Sequence, residues 1–190
     1  GNPVVSFHGN RVSWIDNDTR HQGKGGASWR FFYEDAGSPF RFNGQLNFRR
    51  YFNENVCPGC DPDIFIIELG GNDYLFQGQN EGAAISQIEN FIETDYWQNV
   101  KPFIDALRAT APNMKIGISM EIPGSGRTNA FPGFFGTNSV LGSHYRWRKI
   151  MNTILHKYTE KFGNREQENI YLLPIRMEDY PFLSKHPFLI

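Results

Sequence analysis

The sequence predicts an α/β fold, a parallel sheet with helices on both faces. Three observations lead there. Short apolar runs at residues 64–69, 115–120 and 170–175 have the length and the bounds of strands. Between them, apolar residues recur every three or four positions, as they do along one face of a helix. Strand–helix alternation then calls for a parallel sheet, because each crossover is right-handed and must be covered.

A chain of 190 residues is long enough to bury one substantial core, so a single domain over 1–190 is expected. The formal net charge of −1 provides no basic field, which argues against nucleic acid as a partner. No apolar stretch is long enough to span a bilayer, and the N-terminus lacks the charged and apolar regions of a signal peptide. Aromatic residues make up 15%, and several fall in segments that read as loops, among them Phe31, Phe32, Phe40, Phe42, Phe131, Phe134 and Phe135.

In chain order, Pro3-Val4-Val5-Ser6-Phe7 reads as an opening strand. A polar segment at 16–24 and a glycine turn follow, and a short helix is expected over 27–33 with Ser28 near its start. Residues 35–60 look irregular apart from a helical piece at 48–52. Cys57-Pro58-Gly59-Cys60 lies in that stretch, ahead of a strand. It has no second Cys pair to complete a zinc site and no helix N-terminus to stabilise a thiolate, which leaves a loop disulfide or two free thiols.

Residues 64–69 read as a strand buried on both faces, which makes Glu68 a carboxylate in need of partners. Ile85, Ile88, Ile92 and Tyr96 then recur at helical spacing. Val100, Phe103, Ile104 and Leu107 continue the pattern on a second helix, with Pro102 in its first turn. A strand over 115–120 follows. The stripe Trp147, Ile150, Met151, Ile154, Leu155, Tyr158 and Phe162 is the clearest helix, stopped by Gly163-Asn164. The last strand covers 170–175.

The most informative run is Pro62 to Asp73. Its strand ends in Gly70-Gly71, where the backbone turns, and Asn72 and Asp73 stand at the strand's carboxyl end, where open α/β sheets place ligands. A side-chain amide there can donate to a developing oxyanion, although the same four residues are also ordinary turn formers. The loop at 122–142, rich in glycine and aromatics, follows another strand's carboxyl end and should overhang the same crevice. Its rings could stack on a sugar or an acyl chain, or pack locally. His21 and His144 could reach the crevice or serve as surface residues. Gly124-Ser125-Gly126 lacks the frame of a nucleophile elbow, and Gly23-Lys24-Gly25 lacks the ending of a phosphate loop. Neither a cofactor nor a metal site is expected.

In order and spacing, these segments resemble the SGNH (GDSL-like) esterase and acylhydrolase family, from Val4 to about Ile175. Gly70-Gly71-Asn72-Asp73 is similar to its third block, which implies that the Asn72 side chain is an oxyanion-hole donor. His21 to Trp29 resembles the second block of carbohydrate-active members, which implies a backbone donor at Gly26, or at its neighbour Gly25. Phe40 to Phe52 looks like the aromatic connection between these blocks. The resemblance implies a flavodoxin-like sheet, the SGNH hydrolase fold, and an ester hydrolase acting on an acylated small molecule or carbohydrate. Trp29, Phe134, Phe135 and His21 would be substrate contacts, and a secreted or periplasmic location would follow.

Two blocks of that pattern are missing. No Gly-Asp-Ser occurs to hold a nucleophilic serine, and the opening strand fits the family's second. His186-Pro187 matches the end of the last block, but Leu183 stands where its Asp should be, so His186 is a weak candidate base. In a flavodoxin-like order the first strand lies between the second and third. Its absence would leave backbone groups unpaired on both neighbours, so the fold is expected to be incomplete. A flanking segment or another chain would supply the strand, or the opening strand would take its place. Two functions follow: the oxyanion-hole part of an ester hydrolase, or a non-catalytic relic or carbohydrate-binding module.

Overall fold

A computed structural model describes residues 27–56, 58–74, 84–119 and 144–173, with backbone alone at 11–12, 20–21 and 144–148. The chain divides into two compact units, Gly1–Ile64 with Trp97–Met114, and Phe65–Tyr96 with Lys115–Ile190.

The first unit is built on aromatic packing. Two short strands, β1 (Arg11–Val12) and β2 (Arg20–His21), pair antiparallel. Helix α1 (Trp29–Glu34) starts as expected at Ser28, whose hydroxyl accepts from the Phe31 N–H at 3.0 Å. Residues 35–60, expected to be mostly irregular, contain a hairpin: β3 (Arg41–Phe42) pairs with β4 (Gln45–Leu46). Asn43 and Gly44 turn it with φ of 52° and 80°, the left-handed pair that suits a twisted two-residue turn. Arg41 holds the turn by donating to the carbonyls of Tyr33 and Gly44. Helix α2 (Phe48–Asn55) is capped by Asn47, and its Arg49 reaches Asp61 at 2.5 Å and the Thr110 carbonyl at 2.6 Å.

The second unit carries a three-stranded parallel sheet in the order β5 (Ile64–Glu68), β6 (Lys115–Ser119), β7 (Ile170–Leu173). Ile116 lies opposite Ile170, and Ile118 opposite Leu172. The α/β class and the parallel sheet agree with the sequence. Helix α3 (Gly71–Tyr74) is a single turn after β5, and α4 (Ile85–Asp95) follows. A π-helical stretch, Tyr96–Val100, precedes α5 (Lys101–Thr110), which belongs to the first unit and has Pro102 in its first turn. Helix α6 (His144–Phe162) is the expected long stripe, with Ile150, Met151, Ile154, Tyr158 and Phe162 buried. Asn164 takes the left-handed conformation (φ 58°) just beyond it.

Helix α6 packs on β7, and α4 packs on α6. Lys161 ties the two helices by bonding Glu93 at 2.6 Å while its ammonium lies 4.8 Å from the Tyr96 ring centre. Ile67, Ile116, Ile118 and Ile170 are all buried. Alternation along each strand puts these four on one face of the sheet.

The opposite face corrects two expectations. Ile64 and Ile66 are 58% and 62% exposed, so β5 is not buried on both faces. Glu68 shares their side of the strand and is exposed as well, so its carboxylate stays in water and needs no buried partner. The cause is position: among the described residues β5 is an edge strand, and a strand that pairs on one side lacks the cover a central strand receives. An apolar run alone does not distinguish the two.

Cys60 is disulfide-bonded, which selects the disulfide over the free-thiol alternative; Cys57, the other cysteine of the sequence, lies outside the described residues. The opening strand at 3–7 and the loop at 122–142 also lie outside them. No helix among the described residues is long and apolar enough to cross a membrane.

Candidate functional site

The turn after β5 lies against a buried tyrosine–aspartate pair and a second buried tyrosine. Gly70 has φ of +128°, a conformation that side chains rarely tolerate, and it lets the chain pass from the strand into α3 across only two residues, Leu69 and Gly70. A side chain there would also be crowded. A Cβ on Gly70 would lie 2.5 Å from the Tyr158 hydroxyl oxygen and 3.3 Å from a ring carbon of Tyr74. The single turn of α3 closes with the Tyr74 N–H donating to the Gly70 carbonyl at 3.1 Å. Asn72 sits on that turn and is exposed, while Asp73 is half-buried. Asn72 thus stands four residues beyond the last residue of β5, on the carboxyl side of the strand where open α/β sheets place ligands.

Beneath the turn lie two tyrosines and an acid. The Tyr158 hydroxyl, from α6, donates to the Leu69 carbonyl at 3.1 Å. The Tyr74 hydroxyl donates to Asp95 Oδ2 at 2.7 Å, from the last residue of α4. Tyr74, Tyr158 and Asp95 are all buried, Asp95 with only 6% exposure. A buried carboxylate is costly unless bonded, and a charge-assisted phenol is a strong partner for it. Edge-on rings complete the packing, with Tyr74 against Phe91 at 6.0 Å and Tyr158 against Phe162 at 5.4 Å.

Burial raises the Tyr74 phenol well above its ordinary value, and the neighbouring Tyr158, Asp95 and Asp73 push it in the same direction. In the other unit, burial pushes Tyr51 up to about 12. Both groups therefore hold their protons more firmly folded than unfolded. Their contribution to stability is complete below the ordinary phenol range near pH ~10 and is lost as pH rises through the folded values. Of the eight tyrosines, these two should resist ionisation in a rapid spectrophotometric titration at 295 nm and convert only as the chain unfolds. Tyr74→Phe should flatten the fall of the thermal midpoint above pH ~10. An equally steep fall in that variant would remove Tyr74 from the account.

The expected site residues are only partly described. Trp29 belongs to the first unit and has 0% exposure, its ring edge-on to Phe103 at 5.8 Å. It offers no face to a ligand and serves the aromatic core. Gly25, Gly26, Phe134, Phe135 and His186 lie outside the described residues, as do the side chains of His21 and His144. His21 is placed by its backbone in β2, and His144 at the first residue of α6. The described residues therefore bring no second expected site residue to Asn72. Among them, no group of three His, Cys, Asp or Glu side chains could hold a metal ion.

Sequence reasoning missed Tyr74, Asp95 and Tyr158 as a set. The signal for Asp95 was present, since it falls three residues after Ile92 on the apolar stripe of α4, where an acid must be bonded. Tyr158 had been read only as part of a core stripe, and nothing local pairs it with Leu69. No family model, curated protein or solved structure matches this chain.

Proposed function

We propose that this chain carries the oxyanion-hole part of an SGNH-type ester hydrolase with a flavodoxin-like sheet, acting on an acylated small molecule or carbohydrate. One observation carries the reading: Asn72 stands exposed on a single helical turn that leaves a parallel strand at a glycine of positive φ. The amide would donate to the oxygen that becomes negative as the acyl carbon turns tetrahedral, together with a backbone N–H from Gly26 or Gly25. The resembled enzymes attack with a serine, and no Gly-Asp-Ser block occurs in these 190 residues. A further segment or chain would supply that nucleophile and its acid and base.

An oxyanion hole without its triad retains about 10³-fold of catalysis over water. The purified chain should accordingly hydrolyse p-nitrophenyl acetate slowly, saturably and above the buffer rate. Removing one donor costs about 10²- to 10³-fold, so Asn72→Ala should return the rate close to that of buffer. A rate that survives the substitution rejects Asn72 as the donor. No hydrolysis at all favours the second reading, a non-catalytic carbohydrate-binding module, for which the missing serine block and Leu183 in place of an acid are the supporting observations.

A further inference from the structure

We infer that Tyr158 and the Tyr74–Asp95 pair are positioning residues that fix the orientation of the Asn72 amide; this rests on the reading of Asn72 as a donor. Asn72 lies between two tethers. Three residues before it, the Leu69 carbonyl accepts from Tyr158 on α6 at 3.1 Å. Two residues after it, Tyr74 is anchored through its hydroxyl to Asp95 on α4 at 2.7 Å. The backbone bond from Tyr74 to Gly70 at 3.1 Å closes the segment between them. Helices α4 and α6, themselves packed together, therefore hold both ends of a six-residue stretch, 69–74, whose middle carries the donor.

A one-turn helix has little stability of its own, because nucleation fixes several dihedral angles for a single hydrogen bond. Its conformation must come from outside bonds: the Tyr74–Asp95 bond is buried, where water competes poorly, and the Tyr158–Leu69 bond is part-buried. Gly70 fits the same arrangement: it lies against both tyrosines so closely that a Cβ there would force the Tyr158 hydroxyl to shift. An oxyanion donor works through its placement before the charge develops, so whatever fixes residues 69 to 74 acts on the rate without touching substrate.

Tyr158→Phe deletes one oxygen and keeps the ring packing, and Asp95→Asn keeps the shape while weakening the bond to Tyr74. The side-chain amide of Asn72, assigned in a ¹H–¹⁵N spectrum by its loss in Asn72→Ala, should shift and exchange faster in both variants. Tyr51→Phe, a buried tyrosine of the other unit, should leave it in place. Hydrolysis of p-nitrophenyl acetate should lose about tenfold to a hundredfold in kcat with KM unchanged, since misplacement costs the transition state more than binding. An Asn72 resonance that does not move in folded Tyr158→Phe overturns the inference. Should Asp95→Asn fail to fold, Tyr158→Phe decides alone. If Asn72→Ala leaves hydrolysis unchanged while its amide still responds to Tyr158→Phe, the donor assignment falls and the tether stands.

Discussion

Gly70→Ala should lower stability by about 3 kcal/mol and the thermal midpoint by roughly 10 °C. Two independent causes contribute. The residue is held at φ +128°, where a Cβ strains the backbone. The new carbon would also lie 2.5 Å from the Tyr158 hydroxyl oxygen, which must move and so give up its bond to Leu69. The two causes separate in a double-mutant cycle. In a Tyr158→Phe background the oxygen is gone, and Gly70→Ala should cost about 1 kcal/mol less, leaving the backbone strain. Equal costs in both backgrounds would show that the hydroxyl yields freely and that strain alone sets the effect. A loss below about 0.5 kcal/mol would remove the conformational argument for the turn altogether.

The features legible in the sequence are those fixed by near neighbours. Ser28 announces α1 because a hydroxyl three residues before Phe31 can cap only a helix start. The stripe from Ile150 to Phe162 announces α6 because a helix has no other way to bury those side chains together. Pro102 and Asn164 mark a beginning and an end through their own backbone preferences. Asn43-Gly44 carried an equally local hairpin signal inside a stretch whose composition suggested irregular chain.

What sequence could not show depends on partners far along the chain. The exposure of Ile64 and Ile66 follows from which strands flank β5, and the run itself is as apolar as that of a central strand. The tether of Leu69 to Tyr158 spans 89 positions and leaves no local trace at either end. Around Asn72, the turn after β5 was legible through Gly70-Gly71, whereas the bonds from Tyr158 and Asp95 that hold it were not. Trp29 is a parallel case: the family resemblance alone offered it as a substrate contact, and its burial against Phe103 depends on a helix more than sixty residues later.

That helix supplies the other large effect. Phe103 is 1% exposed and lies edge-on to Trp29, Phe40 and Phe48, with ring centres 5.8, 5.6 and 5.0 Å away. The three partners come from α1, from the residue just before β3, and from α2, so one ring joins pieces that no regular sheet connects. Phe103→Ala should cost about 4 kcal/mol, through lost burial, the cavity and the loss of three edge-to-face contacts. Phe103→Leu refills most of the volume without the ring geometry and should cost about half as much. Denaturant midpoints measure both, and the slope should stay constant if the substitutions act on the folded state. Hydrogen exchange should show faster opening of the amides in α1, α2 and α5. A Phe103→Ala loss below about 1 kcal/mol would mean that these rings hold together without their common neighbour, and the aromatic cluster would then not be what organises the first unit.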